Sequence, residues 1–130
     1  MMIKIFEKED YKTIEKWWID HDQKPCPYNL LPSIGYIVND MVAGFLYQTD
    51  SELCFIESLI SDKKSDKEKR SEALGHLFDN LKMSVEEMQY KRVILHTIHP
   101  KVKEWGSKYG FQPFNNSQEC FFLDIKGDLT

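Results

Sequence analysis

One stretch of the chain, residues 53–75, constrains the fold most, because it joins an apolar strand to a long amphipathic helix through a charged loop. The run Leu53–Ser61 is mostly apolar and predicts a buried strand. Beyond the loop, apolar side chains recur at helical spacing and predict one buried helix face: Leu74, Leu77, Phe78, Leu81, Val85 and Met88. A buried strand that leads into a helix of this length indicates an α/β fold.

Composition limits the class of protein. The 130 residues suit one domain, 1–130, that buries its own core. With 42% hydrophobic and 29% charged residues, the chain is expected to fold rather than to stay disordered. The net charge of −4 leaves no basic excess to neutralise phosphates, so nucleic-acid binding is not expected.

The sequence also suggests a location. No apolar run approaches the roughly 20 residues of a membrane span, and Met1–Asp10 lacks the apolar core of a signal peptide. Cys26, Cys54 and Cys120 are odd in number and widely spaced, which is typical of reduced thiols. We therefore expect a cytoplasmic protein with no membrane partner.

The other predicted elements follow from periodicity and from turn residues. A helix is expected from near Asp10, an ordered loop over His21–Pro32, and a two-residue hairpin turn at Asn39 and Asp40. The remaining predictions are strands at Ile3–Phe6, Gly35–Val38, Val42–Tyr47, Arg92–Ile98 and Cys120–Ile125, and a short helix at Pro100–Tyr109. This order predicts a mixed, mostly antiparallel central sheet flanked by helices.

Four short motifs lie on these elements in order: Leu31-Pro32 before Gly35–Val38, the run Ala43–Tyr47, the step Arg70–Gly75, and Lys108–Phe111. The step Arg70–Gly75 resembles the Gln/Arg-x-x-Gly-x-Gly/Ala signature of the GNAT N-acetyltransferases, with Ala73 in place of the first glycine. The last motif is similar to the Glu-Lys-Leu-Gly-Phe ending of that family. The resemblance covers nearly the whole chain and is greatest to small GNAT-like proteins of bacteriophage genomes.

The resemblance implies a GNAT fold and direct transfer of an acetyl group from acetyl-CoA to a primary amine. In such enzymes the pantetheine arm lies along the strand that here is Leu53–Ser61, beside the backbone of Leu59, Ile60 and Ser61. The pyrophosphate binds at the start of the next helix, which implies a set of backbone and side-chain groups from Lys69, Arg70, Ser71, Ala73 and Gly75.

The loop before this helix leaves a second placement open. Ser65 and Glu68 form an S-x-x-E capping box that could start the helix a full turn early, which would move the anion site to the amides of Asp66, Lys67 and Glu68. Residues 62–70 carry five positive and three negative side chains, a net +2 that suits a phosphate-rich ligand: Lys63, Lys64, Lys67, Lys69 and Arg70 against Asp62, Asp66 and Glu68.

Two catalytic residues are predicted. Glu57 lies in the apolar strand where family members often carry an acidic residue, so it is the candidate base for the amine, and its neighbours Phe55 and Leu59 suggest that it is buried. The alternative is a carboxylate on the solvent-facing side of the sheet or one paired with a lysine. Gly106 stands where the family often has a tyrosine that protonates the thiolate. Tyr109, on roughly the same helix face, is the candidate replacement, although a core role is the alternative.

The acceptor side is the least defined part. In the family, the first helix and the loop after it form that wall, which implies Trp18, His21, Asp22 and Tyr28 as substrate-side residues. His96 and His99 fall on opposite faces of a predicted strand, so no metal site is expected. The acceptor could be a small-molecule or protein amine, and a homodimer is left open. A second hypothesis is a non-catalytic GNAT-fold protein that binds and regulates another protein.

Overall fold

A computed structural model of the chain describes residues 2–97, 100–113 and 123–124, and its side chains except those of residues 100 and 101. The predicted strand Cys120–Ile125 lies outside these ranges apart from Leu123 and Asp124, and His99 lies outside them too. The strands are Ile3–Ile5 (β1), Ile34–Val38 (β2), Val42–Tyr47 (β3), Leu53–Ser61 (β4) and Arg92–Leu95 (β5). The helices are Tyr11–Asp20 (α1), Lys67–Glu87 (α2) and Pro100–Lys108 (α3), with short 3₁₀ turns at Lys8–Asp10 and Tyr28–Leu30.

The five strands form one sheet in the order β1-β2-β3-β4-β5. The first four strands pair antiparallel, and β5 pairs parallel to β4. A parallel neighbour requires a crossover, and α2 supplies it between β4 and β5. The predicted mixed, mostly antiparallel sheet with flanking helices is therefore confirmed.

Helices cover both faces of this sheet. The core on one face packs α2 against β2, β3 and β4, through side chains that include Leu46, Ile56, Leu77, Phe78 and Leu81. The core on the other face packs α1 against the same middle strands through Ile14, Trp17, Trp18, Ile37, Phe45 and Ile60. None of the helices in the described ranges is both long and apolar enough to cross a membrane.

A β-bulge interrupts the pairing of β3 with β4. Phe45 pairs with Glu57 and Ala43 pairs with Ile60, so Gly44 faces two residues, Ser58 and Leu59. Ser58 takes up the extra residue with a φ of 58°, in the left-handed region that a non-glycine residue seldom adopts. The bulge also changes the facing of β4, because Ile56 packs under α2 whereas Ile60 packs under α1.

The start of α2 decides between the two predicted placements. Its N-cap is Asp66, whose side chain accepts a hydrogen bond of 3.0 Å from the Lys69 N–H. The predicted capping box at Ser65 is wrong by one residue, since the Ser65 hydroxyl instead donates to the Asp62 carbonyl at 2.6 Å. The early helix start is nevertheless the one observed, so Arg70–Gly75 is ordinary helix within α2.

Several element boundaries agree closely with the sequence analysis. β3 and β4 have the predicted bounds, and α1 begins one residue after Asp10. The predicted hairpin is present, with φ values of 52° and 49° at Asn39 and Asp40, but its loop has three residues rather than the predicted two, because Val38 pairs with Val42. The strand predicted to reach Ile98 ends earlier, at Leu95.

The close approach of α2 to the bulge predicts a steric limit at Gly44. A methyl group added there would lie 2.5 Å from Leu59 Cδ2 and 3.1 Å from Leu77 Cδ2, so Gly44→Ala overpacks the core. We expect a loss of about 1–3 kcal/mol in the free energy of unfolding, measured by urea denaturation.

Gly106→Ala is the matched control for this prediction. Its added methyl group would lie 3.4 Å from Leu95 Cδ2, an ordinary contact, and alanine is favoured over glycine in a helix by up to about 1 kcal/mol. The control is expected to be neutral or stabilising. Equal stability of the Gly44→Ala variant and the parent protein would contradict the packing described at the bulge.

Candidate active site

The site begins where β4 and β5 stop pairing. Their parallel register runs from Leu53 opposite Arg92 to Ile56 opposite Leu95 and ends there, although β4 continues to Ser61. A cavity of about 430 Å³ lies beside the second half of β4. Its walls also include residues of α1, of the α2 N-terminus, of α3 and of the segment after β5.

The predicted cofactor strand lines this cavity with Leu59, Ile60 and Ser61. The Asp62 N–H donates to the Met41 carbonyl at 2.8 Å, across β3. Because neighbouring peptide groups of a strand point to opposite sides, the N–H and C=O of Ser61 point away from β3, toward the open side of β4. The Ser61 N–H, with this orientation, can pair with an extended ligand.

Two of the four predicted substrate-side residues lie at the cavity. Trp18 and His21, from the end of α1 and the residue after it, both line it. His21 Nε2–H donates to the Ser61 carbonyl at 2.9 Å and so joins α1 to the end of β4. Asp22 and Tyr28 do not line it. Asp22 lies in the turn after α1, with its N–H donating to the Ile19 carbonyl at 2.9 Å, and Tyr28 packs edge-on against Tyr11.

The far end of the cavity is basic. Lys63, Lys67 and Arg70 line it, and α2 begins at the same place. The N-terminus of a helix carries a partial positive charge and N–H groups that lack helical partners. The combination of two lysines with the α2 N-terminus can hold a phosphate group.

Arg70 lines the cavity and also holds the loop before α2. Its Nη1 donates to the carbonyl oxygens of Asp62, Lys63 and Ser65 at 3.2, 3.3 and 2.9 Å. The guanidinium therefore ties the loop between β4 and α2 to the helix. The contact of Arg70 with a phosphate stays a prediction.

The other predicted phosphate residues do not line the cavity. Ala73 is fully buried in the core under α2, and Gly75 faces Trp105, whose ring would lie 2.8 Å from an added methyl group. Lys69 is exposed and Ser71 is half-buried. The early start of α2 explains this, because it turns the Arg70–Gly75 step into a helix interior with a core-facing side.

Glu57 is half-exposed, with 38% of its side chain accessible, rather than buried as its apolar neighbours suggested. Its carboxylate accepts a hydrogen bond from His96 Nδ1. The His96 ring stacks on Phe55, with ring centroids 6.0 Å apart and an angle of 19° between the planes. His96 lines the cavity whereas Glu57 does not. This pair was missed by the sequence analysis.

A second set of polar side chains lies around the bulge. The hydroxyls of Tyr47 and Ser58 are 2.9 Å apart, and the Cys26 thiol lies beside both. Burial raises the pKa of the Cys26 thiol, and it raises the pKa of Tyr47 to about 12. These groups are therefore protonated at neutral pH and act as hydrogen-bonding groups, which argues against Cys26 as a nucleophile.

The candidate acids lie elsewhere. Tyr109 donates to the Asp79 carboxylate and, at 3.2 Å, to the Gly75 carbonyl, so its hydroxyl is bound to α2. Burial, together with the hydrogen bond to Asp79, raises its pKa to about 12. Tyr109 and Gly106 line a different cavity, of about 780 Å³, which runs along β5 and α3. Neither lies at the cavity beside β4.

No cluster of three side chains able to ligate a metal occurs among the residues that the structure describes. The chemistry available at the cavity is therefore that of an imidazole–carboxylate pair, a strand edge and a basic helix start. Such a set can bind an extended anionic ligand and accept a proton beside it.

Comparison with solved structures identifies the fold. A protein from Thermus thermophilus is 14% identical, with a TM-score of 0.71 over 97% of this chain and 100% of its own. A probable acetyltransferase is also 14% identical, with a TM-score of 0.68 over 98% and 100% of the two chains. An acetyltransferase from Trypanosoma brucei is 11% identical, with a TM-score of 0.66 over 93% and 99%.

These likenesses confirm the predicted GNAT fold, and at such identities they concern the fold alone. No protein-family model matches the chain, and no curated protein matches it significantly. None of the three structures is described as a bacteriophage protein, so the predicted likeness to phage proteins gains no support from them.

The raised pKa of Tyr109 predicts a loss of stability in alkali. A phenol whose pKa is near 10 in the unfolded chain and about 12 in the folded protein stabilises the fold fully below pH 10. That contribution falls as the pH rises through about 12. We therefore expect the difference in unfolding free energy between the parent protein and Tyr109→Phe to shrink between pH 9 and pH 12, as measured by urea denaturation.

Subtracting the unfolding free energy of Tyr109→Phe from that of the parent protein removes the effect of other groups that titrate in this range, above all lysines and Tyr47. Recovery of the native circular dichroism spectrum on return to pH 8 is the control for reversibility. A difference between the two proteins that stays constant over this range would contradict the hydrogen bond of Tyr109 to Asp79.

Proposed function

We propose that this protein is an N-acetyltransferase of one domain that transfers an acetyl group from acetyl-CoA directly to a primary amine. The observation that carries the proposal is the opening of β4 from β5 beside a basic helix start. The similarity of the fold to solved acetyltransferases supports it. The acceptor is a small molecule or a protein side chain that presents its amine beside His96, in the cavity whose wall includes Trp18 and His21.

We place the cofactor along the cavity in an extended form. Its pantetheine arm would lie along Leu59, Ile60 and Ser61, because the Ser61 N–H points to the open side of β4, whereas the Ser61 carbonyl accepts from His21. Its pyrophosphate would lie at the start of α2, beside Lys63 and Lys67, rather than along the Arg70–Gly75 step. When bound, acetyl-CoA supplies a thioester whose carbonyl carbon is open to attack by an amine.

Three proton transfers accompany the reaction, and one of them, loss of the second nitrogen proton after the C–N bond has formed, can go directly to water. The incoming ammonium has to lose a proton before its nitrogen can attack, and the Glu57–His96 pair beside the cavity is able to accept it. The departing thiolate has to gain one, and water can supply it because a thiol of pKa near 8.5 is a tolerable leaving group. A dedicated acid is therefore not required.

One observation favours the second hypothesis, a binding protein without catalysis. Gly106 and Tyr109, the two positions predicted for the acid, lie at a different cavity from the proposed cofactor. A protein that bound acetyl-CoA and acetylated no amine would fit that hypothesis. Native mass spectrometry for retained coenzyme A, followed by a panel of polyamines, aminoglycosides and peptide amines, separates the two.

The lysines at the basic end of the cavity are predicted to contribute much of the affinity for acetyl-CoA. The double variant Lys63→Glu, Lys67→Glu reverses two charges at the α2 start, so calorimetric titration should show at least a tenfold weaker binding. Binding to the parent protein should weaken with added salt, as expected for a phosphate ligand.

The matched control is Lys82→Glu, Lys91→Glu, which changes the net charge equally. Lys82 pairs with Glu86 in the second half of α2, and Lys91 precedes the start of β5, at the end of the sheet opposite Ser61. Equal affinity in the two double variants would place the phosphates elsewhere.

The position of Tyr109 predicts that it is not the general acid that protonates the thiolate. Because its hydroxyl is bound to Asp79 away from the cavity, Tyr109→Phe should keep most of the transfer rate of the parent protein. A general acid is typically worth about 10²–10⁴-fold. A loss of that size with the circular dichroism spectrum unchanged would assign the acid to Tyr109 after all.

A further inference from the structure

We propose that His96 is the group that takes the proton from the amine, and that Glu57 acts as a positioning residue behind it. The inference rests on the proposed function, since it names the base of the same site. It assigns to His96 a role that neither its sequence spacing nor the fold suggests. Three observations carry it: the strand register, the hydrogen bond between the two side chains, and the lining of the cavity.

The register places the two residues side by side. Pairing of β4 with β5 ends at Ile56 and Leu95, and Glu57 and His96 are the next residues on the two strands. Neighbouring strands lie about 4.8 Å apart, which brings such side chains within reach of each other. The pair therefore sits at the fork where the two strands begin to separate.

The hydrogen bond orients the imidazole. Because Nδ1–H donates to the Glu57 carboxylate, the lone pair of the neutral ring is on Nε2. The Phe55 ring stacked on His96 restricts the ring plane from the other side. An imidazole held in this way has a defined tautomer and a defined direction for proton transfer.

Access to the cavity indicates which residue of the pair can reach a bound amine. His96 lines it together with Ser58, whereas Glu57 does not. His21 also lines it, yet its Nε2–H is used by the Ser61 carbonyl at 2.9 Å. Among the described residues, His96 is therefore the imidazole that combines a carboxylate partner with access to the cavity beside the bulge.

In the proposed reaction, proton transfer to His96 precedes acetyl transfer. His96 Nε2 accepts a proton from the bound ammonium, and the Glu57 carboxylate stabilises the imidazolium that forms. The freed nitrogen lone pair forms the C–N bond to the acetyl carbonyl carbon, and the C–S bond breaks with its electron pair on sulfur. The attacking nitrogen, cationic once the C–N bond has formed, loses its second proton to water, and the thiolate takes a proton from water. His96 returns its own proton to solvent, so one proton is released overall.

The test compares His96→Ala and Glu57→Gln in amine acetylation with acetyl-CoA. We expect His96→Ala to lose about 10²-fold or more in kcat and to regain part of it with added imidazole. Glu57→Gln keeps an oxygen that can accept from Nδ1–H, so its loss should be smaller, about tenfold. KM for acetyl-CoA should change by no more than about threefold in either, since neither residue lies at the basic end.

His76→Ala on α2 is the matched control, because it also removes an imidazole and does not line the cavity, and its rate should be that of the parent protein. Nitrogen-15 NMR of labelled histidine gives a readout that does not depend on turnover. The parent protein should show the Nδ1–H tautomer at His96, and Glu57→Leu should shift it toward Nε2–H.

The outcomes separate this inference from the proposed function. A large loss in Glu57→Gln with an active His96→Ala would make Glu57 the base and overturn the assignment, as would an Nε2–H tautomer in the parent protein. Turnover that survives both substitutions would overturn it while leaving the acetyltransferase intact. An absence of turnover with every amine would overturn the acetyltransferase, and the role of His96 with it.

Discussion

The β-bulge at Ser58 is the constraint on which the rest of the site depends. By placing two residues opposite Gly44, it lets one strand supply Ile56 to the core under α2 and Ile60 to the core under α1. A regular strand would send both side chains to the same face, since they are four residues apart. The bulge also bends the strand, and bulges are common where pairing ends beside an active site. The cavity opens directly after it.

The fold was largely predictable because its signals are local. Strands β3 and β4 have strong apolar runs and clear turn residues at each end, and α1 has its tryptophans at helical spacing. The positions of the predicted phosphate residues relative to the cavity could not be predicted from the sequence, because the face on which each lies depends on which residue caps α2. Once Asp66 caps α2, the helical phase carries Ala73 and Gly75 into the interior and leaves Lys63 and Lys67 at the cavity.

The Glu57–His96 pair could not be read from the chain, for a different reason. The two residues are 39 positions apart, and their contact depends on the register between two parallel strands. Parallel register is set by the packing of the crossover helix, which leaves no short-range trace in the sequence.

The backbone contacts of Arg70 affect how ligand-binding data on variants of this protein should be interpreted. Its guanidinium binds three backbone carbonyls and so orders the loop that carries Lys63 before any ligand arrives. Under the proposed placement of the pyrophosphate, removing Arg70 would raise the entropy of that loop and weaken binding through the disorder of Lys63. An alanine scan would then rank Arg70 among the ligand contacts even for a ligand that it does not touch. Conversely, a new ligand specificity could arise by exchanging loop lysines while the arginine stayed in place as scaffold.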